Sequence, residues 1–296
     1  MFVINYRKFF YSISIILVVA SIAAISFWGL RLGIDFKGGS IVEIEYIGER
    51  PEQKLLQDSL NNIGLDSSIR ATDEKGYIIR MKDINQTQKS SLYSTLNSFG
   101  TSTEKRFDSV GPLLGSEALR KSSASIILVI LAIILFIAYV FRKVSNPISS
   151  WKYGIIAIVA LIHDVLIPTG VFAVLGHFAG YEIDTLFVTA LLVVLGFSVH
   201  DTIVVFDRVR ENLNHSKADK PFDKIVGESI SQTFVRSINT SMTTLLALIV
   251  LYFIGGESTQ HFSLALIIGI IAGTYSSIFL GSPLLVTIWK WQMKRA

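Results

Sequence analysis

Residues Thr185–Phe206 read TLFVTALLVVLGFSVHDTIVVF, an apolar run with one carboxylate, Asp201, set inside it. Wound as a helix at 1.5 Å per residue, a run of this length reaches about 30 Å, the thickness of a bilayer's hydrocarbon core. Apolar residues occupy every side of that helix, as a membrane span requires. Five more stretches are similar: Phe10–Leu30, Ser123–Phe141, Trp151–Leu175, Ile238–Ile254 and Phe262–Trp289. The chain is 51% hydrophobic and 17% charged, where soluble domains carry roughly a quarter of their residues as charges. The fold expected is therefore a bundle of six transmembrane helices.

The remaining charges act as topology signals. Arg7 and Lys8 precede the first span, and Arg142, Lys143 and Lys152 lie between the second and third. Arg208, Arg210, Lys217, Lys220, Lys224 and Arg236 lie between or near the ends of the fourth and fifth, and Lys290, Lys294 and Arg295 follow the sixth. The opposite connections, Gly176–Asp184 and Gly255–His261, hold no Lys or Arg. The positive-inside rule then puts both termini in the cytoplasm. The first span resembles a secretory signal, but its apolar run is too long and no small-residue cleavage site precedes Arg31, so an uncleaved anchor is expected. The net charge of +4 is spread among these flanks, with no block of like charge to suit nucleic acid. There is no cysteine, which excludes disulfides, thiolate metal sites and thiol catalysis.

This orientation leaves Arg31–Ser122 outside the cytoplasm. Its 13 basic and 13 acidic residues balance, as in a soluble domain. Val42, Ile44 and Tyr46 alternate with Glu43 and Glu45, the period of a half-buried strand. Pro51 can open a helix that puts Leu56, Leu60 and Ile63 on one face and ends at Gly64. Ser67–Thr72 and Tyr77–Lys82 read as a strand pair joined by Asp73–Gly76. A second helix over Ile84–Phe99 aligns Leu92, Leu96 and Phe99, and Thr103–Val110 is a weaker last strand. The order βαββαβ is that of an α+β ferredoxin-like domain. The division expected is residues 1–31 (tail and first span), 32–122 (extracytoplasmic domain) and 123–296 (five spans, with a cytoplasmic connection near 207–228).

Ionisable residues inside spans are costly, at least about 2.5–3.5 kcal/mol at the bilayer centre, and mark functional positions. Asp164, beside His163, is near the middle of the third span, and Asp201 is deep in the fourth. Arg236 enters the fifth span from the cytoplasmic side, at a depth Asp201 can share. Hydroxyl and amide residues from Ser229 to Thr244 crowd the same half of that span, where they can bond to neighbouring helices or line a wet path. Asp201 suits a site that binds and releases protons, with Arg236 as its counter-charge; a static ion pair fixing helix register is the alternative. His163 and Asp164 either extend a proton relay or bond to a neighbouring helix end. Pro168, a turn later, frees a backbone carbonyl. Gly269, Gly273, Ser276, Ser277 and Gly281 in the sixth span read as close helix packing.

Gly33-Ile34-Asp35-Phe36-Lys37-Gly38-Gly39 follows the first span. By itself it is a turn in which glycines supply unusual backbone angles between helix and strand. Together with His163-Asp164-Val165, with His200-Asp201-Thr202-Ile203-Val204-Val205-Phe206-Asp207-Arg208-Val209-Arg210-Glu211-Asn212 and with Ser231-Gln232-Thr233-Phe234-Val235-Arg236-Ser237, it resembles the SecD/SecF protein-export family, of the RND-like superfamily. Six spans with one large first outer loop resemble the shorter SecF branch. The family commonly has Asn where this chain has His200. The resemblance implies a subunit of the inner membrane that works with SecD beside the SecYEG channel on a translocating preprotein, drawing on the proton gradient. It implies protons as the coupling ion and no other cofactor or metal, with Asp201 and Arg236 supporting proton flow. Gly33, Asp35, Gly38 and Gly39 are then structural motif residues. No GxxxxGK[ST] loop, HExxH or GxSxG is present, so a transport component rather than an ATPase or hydrolase is expected. The competing readings are half of a proton-driven RND-type exporter of lipids or small molecules, and a non-transporting scaffold. An outer domain of this size favours protein export over the exporter, whose porter region is generally much larger.

Overall fold

The computed structural model describes residues 2–72, 74–142, 148–215 and 220–294. Lys143, Lys217 and Arg295 of the charge pattern, and Asp73 of the strand turn, lie outside the described residues. The chain divides into two compact units, Leu32–Ser123 and the combination of Met1–Arg31 with Ala124–Ala296.

In the smaller unit the elements run β1 (Gly39–Tyr46), a helix (Gln53–Asn62), β2 (Ser67–Thr72), β3 (Gly76–Met81), a helix (Gln86–Ser98) and β4 (Ser102–Val110). The strands form one sheet in the order β2-β3-β1-β4, with every neighbouring pair antiparallel. Val42, Ile44 and Tyr46 are buried with Leu56, Leu60, Leu92 and Leu96 in one core. Each such side chain contributes about 1.5–3 kcal/mol through burial. The second helix starts with a capping box in which Asn85 Oδ1 accepts from the Gln88 N–H (2.9 Å) and Gln88 Oε1 from the Asn85 N–H (3.0 Å). Two expectations need correcting. Ile63 is 42% exposed, because the helix stops at Asn62 and leaves it as the terminal residue. The last strand is nine residues long and pairs along the whole of β1. Its alternation is hard to read because it is an edge strand with a register shift opposite Glu43 and Ile44. The shift sets Lys105 apart from the pairing, and its Nζ reaches Glu45 (2.6 Å), holding that carboxylate below its ordinary range.

The Gly33–Gly39 stretch is one helical turn, Ile34–Lys37, followed by Gly38 (φ 76°) and Gly39 (φ 137°). Both conformations disfavour any side chain. A Cβ on Gly38 would lie 2.7 Å from Pro112 Cα, and one on Gly39 would lie 2.7 Å from the Met81 carbonyl oxygen. A Cβ on Gly115 would in turn meet the Gly38 nitrogen at 2.8 Å. The motif is thus a tight backbone junction between β1 and the start of the helix at Pro112. Asp35 is half-buried within the turn.

Among the described residues, six helices are long and apolar enough to cross a membrane. They are Arg7–Trp28, Pro112–Val140, Ser150–Ala179, Thr185–His215, Phe222–Ile254 and a sixth that runs Glu257–Tyr275, Ser276–Gly281 and Ser282–Met293. Several outrun their apolar stretches. The second begins at Pro112, whose missing N–H suits a first helical position, and the fifth begins at Phe222. The third, fourth and sixth form the centre of the bundle, while the second and fifth leave most of their apolar windows uncovered. Phe141, Tyr153 and Phe206 form a buried aromatic cluster, the first two stacked at 5.2 Å. Gly269 meets Val194, and a Cβ on Gly273 would lie 3.0 Å from Ser198 Cβ, so the fourth and sixth spans approach closely.

The sixth span has a feature that the apolar pattern does not announce. Ser276–Gly281 is a π-helical turn inside the span. Ser282 closes it by donating both its backbone N–H and its hydroxyl (2.7 Å) to the Ser277 carbonyl. Pro283 follows without a backbone donor, which limits how the normal helical ladder can resume.

Candidate functional site

Asp164 is completely buried on the third span, where three helices meet. Its Oδ1 lies 2.8 Å from His163 Nδ1. Its Oδ2 accepts from the hydroxyls of Ser198 on the fourth span and Ser276 on the sixth (2.8 Å for Ser276). The carboxylate thus has a hydrogen-bonding side chain on each of three helices, as burial of such a group demands. Pro168 lies within the same helix and cannot donate to the Asp164 carbonyl, so the backbone there lacks one rung. Thr169 turns its hydroxyl back onto the Val165 carbonyl (2.7 Å).

Asp201 is 4% exposed, one helical turn beyond Ser198 on the fourth span. Its Oδ1 accepts from Ser237 of the fifth span (2.9 Å) and its Oδ2 from Ser277 of the sixth (3.3 Å). Ser241, one turn along from Ser237, bonds to Thr274 of the sixth span (2.5 Å). A line of hydroxyls therefore joins the fifth and sixth spans beside the carboxylate. Ser231 and Thr233 instead bond back to carbonyls of their own helix, while Ser229 does so and also accepts from Asn212 of the fourth span (2.8 Å).

The static ion pair, the alternative reading for Arg236 and Asp201, is not formed among the described residues. Ser237, the next residue, faces Asp201, while Arg236 is exposed and forms no salt bridge among the described residues. Successive residues on a helix point about 100° apart, so both cannot face Asp201. Among the described residues hydroxyls, not a guanidinium, contact the carboxylate. His200 is likewise exposed, pointing away from the packed side of the fourth span. Gly33, Asp35, Gly38 and Gly39 belong to the smaller unit's backbone junction rather than to this cluster.

Ser198, Ser276 and Ser277 were the residues sequence reasoning missed as site members. The last two stood among small residues explained by packing, and the glycines near them do pack closely. A usable signal existed: hydroxyls in two different apolar spans, each within a few residues of a carboxylate or of a close-packing glycine.

The model for the C-terminal region of the protein export membrane proteins SecD/SecF matches residues 90–291, and that for the SecD/SecF GG motif matches residues 24–46. The chain belongs to the SecD/SecF protein-export family. Among relatives, the protein translocase subunit SecF of Thermobaculum terrenum is 45% identical, over 99% of this chain and 94% of that one. The SecF of Anaerolinea thermophila is 37% identical, over 97% of this chain and 94% of that relative. The crystal structure of SecDF, a translocon-associated membrane protein from Thermus, matches with a TM-score of 0.84 at 29% identity over 97% of this chain. SecDF in its super-membrane-facing form matches with a TM-score of 0.68. The chain spans 38% of the length of the first SecDF chain, so it corresponds to one part of that protein. The SecD/SecF relatives are subunits of a protein translocase, a transport assembly of the membrane, and the chain is a multi-pass membrane protein of that family.

Proposed function

We propose that the chain is the SecF-type half of a proton-driven accessory device for protein export, completed by a SecD-type partner. It would act beside a SecYEG-type channel on the emerging preprotein. One observation carries this reading: Asp201 is buried in an apolar span with two serine hydroxyls on it and, among the described residues, no cation at ion-pair distance. A carboxylate held in that way is costly to keep charged and is therefore suited to taking up and releasing a proton. The likeness to SecDF supports the partnership, and the chain's share of SecDF length leaves room for it.

Both termini lie in the cytoplasm and the smaller unit lies outside, as the Lys and Arg distribution indicates. The sheet order of that unit supports a ferredoxin-like reading, and the lack of a catalytic constellation among its described residues suits a binding or mechanical module. The coupling ion is the proton, with no other cofactor. Arg236, on the uncovered face of the fifth span, acts at the boundary with the partner rather than as a direct partner of Asp201. His163 and Asp164 form the inner carboxylate site.

The test is proton flux and preprotein export in proteoliposomes holding this chain, its SecD-type partner and the channel. Asp201→Asn should abolish the stimulation of export by a proton gradient while the complex still assembles. Normal gradient-stimulated export by Asp201→Asn would end the proton reading.

A further inference from the structure

Resting on that proton reading, we infer that the π-helical turn of the sixth span couples the two buried carboxylates, with Ser276 and Ser277 as paired positioning residues. Adjacent residues of one turn hold different carboxylates: Ser276 bonds to Asp164 Oδ2 (2.8 Å) and Ser277 to Asp201 Oδ2 (3.3 Å). The fourth span repeats the link one turn apart, since Ser198 bonds to Asp164 and Asp201 follows three residues later. The carboxylates are thus tied by two helices at once, although they stand on different spans.

Each serine has one hydroxyl hydrogen and two acceptors in reach. Ser276 Oγ lies 3.1 Å from the Gly273 carbonyl as well as near Asp164. Ser277 Oγ lies 3.1 Å from the Thr274 carbonyl as well as near Asp201. An ionised carboxylate attracts the hydroxyl hydrogen to itself, because a charged acceptor makes the stronger bond. When one proton adds to Asp201 Oδ2 its charge goes from −1 to 0, and its new O–H donates to Ser277 Oγ. The serine hydrogen then turns to the Thr274 carbonyl. No other bond forms or breaks. A π-turn has looser hydrogen bonding than the α-helix around it and often sits at functional sites. A change of acceptor at Ser277 therefore bears directly on its neighbour Ser276 and on the hold over Asp164.

The titratable and charged groups around the pair are few. His163 on the third span contacts Asp164, and Tyr275 of the sixth stacks on His163 with ring centres 6.0 Å apart. His200 on the fourth span precedes Asp201, and Arg236 on the fifth precedes its partner Ser237. None of these lies in the Ser276–Ser277 link itself.

The experiment follows the protonated-carboxyl bands of Asp164 and Asp201 by difference infrared spectroscopy across pH. It uses the full chain in nanodiscs, with the bands assigned by Asp164→Asn and Asp201→Asn. Asp201→Asn should move the titration midpoint of Asp164 by about one pH unit, the scale on which two sites titrate as a pair. Ser277→Val should remove most of that shift, and Ser277→Thr, of the same size but with a hydroxyl, should keep it. An unchanged shift in Ser277→Val overturns the inference, because coupling would then pass directly through space. Two carboxyls that titrate independently overturn the inference alone, whereas two that do not titrate overturn the proton reading with it.

Discussion

The two carboxylates of the bundle have the same chemistry but different surroundings. Asp164 is sealed between the three best-covered spans, with an imidazole and two hydroxyls on it. Asp201 has two hydroxyls and lies against the fifth span, whose other side is uncovered. Each carboxylate joins three helices, but Asp164 has the further imidazole contact and no exposed surface. The arrangement at Asp201 leaves the carboxylate close to a boundary that a partner or a proton path can reach. Depth in the apolar sequence does not separate them; the neighbours do.

The difference can be broken most severely at Asp164. Asp164→Ala removes the carboxylate partner of Ser198 and His163 and leaves Ser276 only the Gly273 carbonyl, and each buried donor left unmade costs about 1–3 kcal/mol. The unfolding midpoint in detergent should fall clearly more than it does for Asp201→Ala. Equal losses would mean that the extra imidazole contact and full burial of Asp164 add nothing to the hold between spans. A smaller effect is expected from Gly273→Val, which drives a side chain into Ser198 and wedges the fourth and sixth spans apart. Overpacking of this kind costs about 1–3 kcal/mol, measurable by the same unfolding curve. Unchanged stability would show that the two spans do not hold their close approach. The smallest effect on stability belongs to Arg236→Ala, expected within about 0.5 kcal/mol because the side chain is exposed and forms no ion pair among the described residues. Its gradient-stimulated export should nevertheless fall in the assembled complex. Full activity would make Arg236 a positive-inside anchor and leave Asp201 without it.

Much of the site was legible before the structure. Asp164, Asp201 and His163 stand out because ionisable groups in apolar runs are rare and costly. Ser237 was visible as part of a polar stretch, although not as the direct partner of Asp201. That Arg236 does not touch Asp201 was not legible, because helix geometry turns the adjacent residues Arg236 and Ser237 to different sides. Ser276 and Ser277 were read as packing because small residues serve both purposes in membrane helices, and only their distances to the carboxylates distinguish the two.

The sequence alone determined six apolar spans, the alternation of β1, the glycine junction after the first span and the carboxylates within the bundle. These follow from local constraints: hydrocarbon length, strand period, backbone angles available only to glycine and the cost of buried charge. Tertiary structure decided which spans are central, that serines rather than Arg236 hold Asp201, and that one π-turn reaches both carboxylates. Those outcomes depend on the rotation and approach of helices distant in sequence, and apolar composition on every side of a span leaves both open.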